Sequence, residues 1–216
     1  MTTEVPAARG SPTIRWGPNA SYIGPVVSLP FEALYEEVLR ERGRRETATG
    51  TIYRDSGGRV RREYRIVHGS GQGPIDLVVI NDLAARSVVW LDNATNTATR
   101  FIDFGPPPGQ PLWGGWAFEG SWSLEGGAEE RTIEGVLCRK VARVGWPLGA
   151  TLKGAEAGEI WISDELKYSV FERVTDPEHE YTWRLYNIRR TEPPDSLFAV
   201  PAAYTVVSRS KIDPSG

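Results

Sequence analysis

His68 and His179 are the only histidines in the 216-residue chain, and each lies beside a turn signal, next to glycine or acidic residues. A zinc or transition-metal site needs several such ligands converging with carboxylates or thiolates. Two isolated histidines read instead as turn or surface residues. Cys138 is the single cysteine, so an intramolecular disulfide and a cysteine-based zinc cluster are both excluded, and it reads as a small strand side chain. Ser56, Ser163 and Ser169 lack the sequence context of a nucleophile elbow, and no motif ties either histidine to them. Glu129 with Glu130, and Asp164 with Glu165, are adjacent carboxylates that in principle do acid and base work. Neighbours along a strand point to opposite faces, so these pairs read as solvated turn charges. A hydrolase would need acids or histidines brought together inside a groove by the fold. No glycine-rich stretch opens a helix with Lys-Ser or Lys-Thr, so no phosphate loop is present.

Two residue sets carry more. Arg59, Arg61, Arg62 and Arg65 form a basic run in which Arg61 and Arg65 share the solvated side of a period-2 alternation, while Arg62 is in phase with Val60 and Tyr64 and points inward. An inward arginine needs a partner: a nearby acid, or an anionic head group at a cavity mouth. Eight tryptophans is a high count for this length. Trp90, Trp161 and Trp183 fall in strand-like segments and read as core. Trp113, Trp116 and Trp122 fall in an irregular segment, where aromatic residues supply large apolar area for lids and rims.

The elements that must position these residues are strands. GTIYRDSGGRVRREYRI, residues 50–66, reads as a hairpin with Asp55, Ser56, Gly57 and Gly58 as its turn. Val60, Tyr64 and Ile66 alternate with Arg61, Glu63 and Arg65, giving one dry and one charged face. Further strands are expected near 76–80, 86–92 and 96–103, then in RTIEGVLCRKVARV, EIWIS, KYSVFERVT and EYTWRLYNIRR, with turns at Ser163 to Glu165 and Asp176 to Glu178. FEALYEEVLR, residues 31–40, places Phe31, Leu34, Tyr35, Val38 and Leu39 at helical spacing; the alternative is a long first strand. The segment 105–127 is dominated by Pro, Gly and Trp and is expected to be a loop, either a plug over the sheet or an aromatic surface. Pro193 to Ser196 before Leu197 and Phe198 reads as a capped single helical turn ended by Pro201.

About nine or ten antiparallel strands are therefore expected in an all-β fold with little helix, and a meander of that size must curl to protect its dry face. The expected organisation is an extended or poorly ordered leader at 1–30, one β domain at 31–207 containing the 105–127 loop, and a frayed tail at 208–216. A net charge of −3 makes no case for binding nucleic acid. No segment approaches the roughly 18 consecutive apolar residues of a spanning helix, so the expectation is a soluble chain that does not span a membrane. The amino terminus shows neither a basic n-region nor an apolar h-region.

The order of these pieces resembles the LolA-like periplasmic lipoprotein carriers and the related sensor RseB, whose fold is a half-barrel of antiparallel strands. GTIYRDSGGRVRREY followed by LVVINDLAARSVVWLDNATNTAT looks like that family's early hairpins, and EIWISDELKYSVFERV, YTWRLYNIRR and PPDSLFAVPAAY are similar to its carboxy-terminal part. YRDS-x-GR-x-RRE at Tyr53 to Glu63 and TIEGV at Thr132 to Val136 also resemble segments of uncharacterised bacterial extracytoplasmic proteins. The resemblance covers roughly residues 31 to 207, favours a strand over a helix at 31–40, and implies a periplasmic or extracytoplasmic setting; a cytoplasmic one follows if Met1 is the native start. It implies a non-enzymatic protein without cofactor, with a curved sheet whose concave face binds a lipid, acyl chain or other hydrophobic small molecule. Tyr64, Ile66, Val79, Trp90, Trp161 and Trp183 would line that face, Arg62 would select an anionic end, and Trp113, Trp116 and Trp122 would cover it. The alternative is a sensor of RseB type that recognises a protein partner by a sheet edge or aromatic loop. Replacing Trp113 and Trp116 with alanine is expected to weaken probe binding more than it lowers stability; equal loss of both would mark them as core.

Overall fold

The computed structural model describes residues 29–41, 44–68, 73–82, 85, 87–102, 121–123, 129–144, 157–163, 165–166, 168–175 and 179–209. The hairpin turn at Asp55 to Gly58 forms as its residues dictate. Gly58 adopts φ 87, Gly58 N–H donates to Asp55 O at 3.1 Å, and Asp55 N–H donates to Arg59 O at 3.1 Å. It joins β2 (Arg44–Arg54) to β3 (Val60–His68). β1 (Phe31–Glu41) precedes them, and β4 (Ile75–Asp82), β5 (Ser87–Asp92) and β6 (Thr97–Ile102) continue the meander. Then come β7 (Ser121–Ser123), β8 (Glu130–Ile133), β9 (Val136–Val144), β10 (Ala157–Ser163), β11 (Tyr168–Thr175) and β12 (His179–Arg189). A single 3-10 turn at Asp195–Phe198 leads to β13 (Thr205–Arg209).

The thirteen strands among the described residues belong to one sheet with the order β13-β6-β5-β4-β3-β2-β1-β12-β11-β10-β9-β7, and β8 pairs with β9. Every pairing is antiparallel except that of β13 with β6. The sheet is curved and not closed into a barrel. Its curl is measured by contacts across it. Four strand spacings separate β3 from β11, about 19 Å on a flat sheet, yet Arg62 of β3 donates to the Tyr168 hydroxyl of β11. Arg54 Nη1 likewise donates to Leu166 O, at 3.2 Å.

The concave face carries the main core, including Phe31, Tyr35, Ile52, Val60, Tyr64, Val79, Tyr168, Trp161, Trp183 and Leu185. The convex face of β4 to β6 carries a smaller core of Val78, Ile80, Val89, Leu91 and Ala98. Residues 190–204 cross that face as a strap, with Phe198, Val200 and Tyr204 packed on the small core. The strap is fastened to the β2–β3 turn: Ser56 N–H and Oγ both donate to Glu192 Oε1, Arg59 bridges Asp55 and Asp195, and Arg61 Nη1 donates to Leu197 O. Arg59 also lies over the Phe198 ring, 4.7 Å from its centroid. Elsewhere the convex face is charged, with Arg40 and Arg173 on Glu180, Arg184 on Glu36, and Arg65 on Asp76.

Some expectations are settled and others change. Residues 31–40 form the strand that the resemblance favours over a helix, because β2 and β12 take up both of its edges. Phe31, Ala33 and Tyr35 are buried in alternation, and Leu34 and Val38 fall on the other face, so the helical spacing was incidental. The segment 105–127 contains β7, whose residues pair with Ala142 to Val144 of β9; residues 103–120 lie outside the description. Pro194 precedes the 3-10 turn with no side-chain cap bond. The leader at 1–28 and residues 210–216 lie outside the described residues, whereas Ser208 and Arg209, assigned to a frayed tail, complete β13. That strand is parallel, a pairing an antiparallel meander does not predict; its start is fixed by Thr205 N–H donating to Asn96 O at 2.9 Å.

Candidate functional site

Burial along the concave face is graded from one end to the other. In β1, Phe31, Ala33 and Tyr35 are buried, Glu37 is partly buried, and Leu39 is 36% exposed. In β2 the sequence Arg54, Ile52, Gly50, Ala48, Glu46 runs from sealed to partly open, and in β3 Val60, Arg62 and Tyr64 are buried and Ile66 only partly so. β4 and β12 repeat the trend: Val79 is buried, Leu77 partly buried and Ile75 49% exposed, while Leu185 and Trp183 are buried and Tyr181 partly. The strands are in register, so one end of the concavity is closed by packing and the other opens beside Leu39, Ile75 and Tyr181. Trp90, opposite Val79, is partly buried and packs edge to face on Phe101 with centroids 5.0 Å apart.

Between the sealed and open ends lies a polar floor. Tyr35 stacks on Trp183 with centroids 4.9 Å apart and meets Tyr64 edge to face at 5.6 Å. Gly50 makes that arrangement possible, since it faces Tyr35 and Tyr64 in register and a Cβ there would sit 1.6 Å from Glu63 O. The Tyr35 hydroxyl reaches across and donates to that same carbonyl at 3.0 Å. Arg62 is 5% exposed. Its Nη1 donates to Tyr64 Oη at 3.2 Å, its Nη2 donates to Tyr168 Oη, and its guanidinium lies over the Trp183 ring, 4.8 Å from the centroid. Arg62 Nε is buried and has no hydrogen-bond partner among the described residues.

Carboxylates follow along the same face toward the open end. Glu37 is opposite Ala48 and Trp183, Trp183 is opposite Glu172, and Glu46 is opposite Leu39 and His68. Burial pushes the Glu37 carboxyl above its ordinary range; Arg62 pulls it back, the charges of Glu172 and Glu46 add to the rise, and Tyr181 hydrogen-bonds it. Burial also raises Tyr35, Tyr64 and Tyr181, so their hydroxyls stay protonated and neutral. The arrangement offers hydrogen-bond donors and acceptors under an apolar rim, in surroundings that strengthen each polar contact.

Of the residues singled out from sequence, Arg62, Tyr64, Val79, Trp161 and Trp183 are buried on the concave side, and Ile66 and Trp90 pack partly buried against that core. Trp161 belongs to the same core and lies beneath Arg131 and Lys140, at 5.5 and 5.7 Å from its ring centroid. Trp113 and Trp116 lie outside the described residues, and Trp122 stands opposite Arg143 in β7. The adjacent carboxylates resolve as surface pairs, Glu129 with Lys140 and Glu165 with Arg190. His68 ends β3 and His179 begins β12. Glu37, Glu46 and Glu172 were missed. Counting residues 31–41 as a strand would have found Glu37 on the side of Phe31, Ala33 and Tyr35.

No protein-family model matches the sequence, and no curated protein matches it. One solved structure to which the chain is similar is a DUF1329 family protein from Desulfovibrio piger, at 12% identity and a TM-score of 0.37, over 81% of this chain and 91% of that one.

Proposed function

We propose that the protein binds a lipid, acyl chain or other hydrophobic molecule non-covalently at the open end of the concave face. The observation that carries this reading is the burial gradient: apolar side chains on an inward face are sealed at one end and remain partly or largely exposed at Leu39, Ile66, Ile75, Leu77 and Tyr181. Inward apolar surface left open is where a ligand gains most from burial, about 25 cal/mol per Å² removed from water. The resemblance of the hairpins and the carboxy-terminal segments to LolA-like carriers supports the same reading, and with it a periplasmic setting. Organic extraction of the purified protein followed by lipid mass spectrometry, with a native mass spectrum of the intact sample, tests it. A stoichiometric lipid supports the proposal, and turnover of a bound ester would replace the binder with a hydrolase. A clean apo mass together with no uptake of a lipophilic probe would sink it.

A second reading, a protein-interaction domain of RseB type, draws on β13. This strand is last in the sheet order and all five of its residues are exposed, Val206 and Val207 among them. An edge of that kind accepts an added strand. Co-purification of a polypeptide in place of a lipid would favour it.

A further inference from the structure

The polar floor crosses the concave face as a septum. Tyr35 stacks on Trp183 and meets Tyr64 edge to face, Tyr64 Oη accepts from Arg62, and the Arg62 guanidinium lies over Trp183. These four contacts close into a ring built by β1, β3 and β12, and Arg62 ties the ring to β11 through the Tyr168 hydroxyl. Behind the ring the face is filled: Phe31, Ala33, Ile52 and Val60 are each at most 2% exposed. An apolar tail could pass only by parting a buried cation from its acceptors, which is costly. In front of the ring, Ile66 and Leu77 are partly buried, and Leu39 and Ile75 are 36% and 49% exposed. Glu37 stands on this stretch too, but it is hydrogen-bonded by Tyr181, so a tail passing it meets a carboxyl that already has a partner.

The depth of the open stretch follows from the strand. Leu39 lies four residues beyond Tyr35 on the same face of β1, about 13 Å at roughly 3.3 Å per residue. An extended chain advances about 1.2 Å per bond, so about ten carbons fill that depth. We infer that the ring is a depth gauge: the concave face takes a single-chain amphiphile tail-first and buries about ten carbons of its tail, with any further length and the head left outside. This rests on the hydrophobic-ligand reading and gives it a chain length. Arg62 then braces the floor from behind instead of receiving an anionic end.

The test is a titration of the purified full chain by tryptophan fluorescence with n-alkyl maltosides from hexyl to tetradecyl, each below its micelle concentration. The sugar is too bulky to enter and holds each probe tail-first. Affinity is expected to rise about tenfold for every two added methylenes, the worth of burying them, and to level off at about decyl. A rise that continues undiminished to tetradecyl, or levelling already by octyl, would overturn the inference and leave the hydrophobic-ligand reading standing. No binding of any probe would remove both. Ala48 is opposite Glu37 and Ile66, one inward position nearer the open end than Gly50. Ala48→Leu therefore raises the floor, and the levelling point is expected to fall to octyl or shorter. An unmoved levelling point in a folded variant would also overturn the inference, and if the variant fails to fold, the series in the unaltered protein decides.

Discussion

Glu37 holds its proton to higher pH in the folded protein than in the unfolded chain, because burial disfavours its charged form. The unfolded chain releases that proton in the ordinary range, about 4.3. Above that value the native state carries more protons, so this group's contribution to stability falls as pH rises through the raised native value. Urea unfolding followed from about pH 4 to 8 should therefore lose less stability with rising pH in Glu37→Gln than in the unaltered chain. Identical profiles would mean that Glu37 is not held this way. Cys138 gives a second check. It is 1% exposed and burial pushes its thiol up to about 11, so the reactive thiolate is scarce at neutral pH. Thiol reagents should label it only on unfolding, and rapid labelling of the native chain would contradict the packing of β9. Arg62 was legible from parity alone, since a charged residue in phase with Val60 and Tyr64 has one direction to point. The floor that receives it was not, because Tyr168 comes from a strand 106 residues away.

At the scale of elements, β2 has a demanding position. Gly50 sits where Tyr35 and Tyr64 converge, and Gly50→Ala would drive a methyl group into Glu63 O. The backbone of β2 or β3 would have to move, and a loss of about 3 kcal/mol is expected from chemical denaturation. A loss below about 1 kcal/mol would show that the close approach relaxes freely. The strap makes a different prediction. Phe198→Ala uncovers Val78, Ile80, Val89, Leu91 and Ala98 and should cost about 2 kcal/mol, less than for a fully buried phenylalanine. Amide exchange should quicken in β5 and β6 more than in β1 and β12. Hairpins announced by Asp, Asn and Gly were readable because their turn chemistry is local: Asp92 accepts from Ala94 N–H at 2.8 Å, and Glu134 and Gly135 both take positive φ between β8 and β9. Residues 31–41 were ambiguous because helical and alternating patterns share Phe31, Tyr35 and Leu39, and only the strands on either side decide between them. The parallel β13 was hidden for a related reason, since its partner β6 is set by the path of the strap and not by a turn.

For the whole molecule, curvature and core are the same fact. Arg62 can bond Tyr168 only if the sheet bends, and the bend is what lets Phe31 meet Tyr168, with ring centroids 5.6 Å apart. Tyr168→Phe removes the acceptor of Arg62 Nη2 while keeping the ring. A loss of about 1–3 kcal/mol is expected, the cost of leaving a buried charged donor unmet. No measurable loss would mean that the two limbs of the sheet are held by apolar packing alone.

The central strand has a consequence for how the chain is made. β1 lies between β2, its neighbour in sequence, and β12, with Arg40 and Glu180 in contact across 140 residues. A growing chain can lay down β1 to β6 early as a meander, but that half-structure keeps β1 as a bare edge until β12 has left the ribosome. The last described stretch, 179–209, then closes the middle of the sheet, carries the strap across the convex face and covers β6. A nascent or truncated chain lacking it would expose the edges of β1, β11 and β6 at once. Closure of the middle of the sheet thus waits on β12, and a product cut short before it keeps an open seam there.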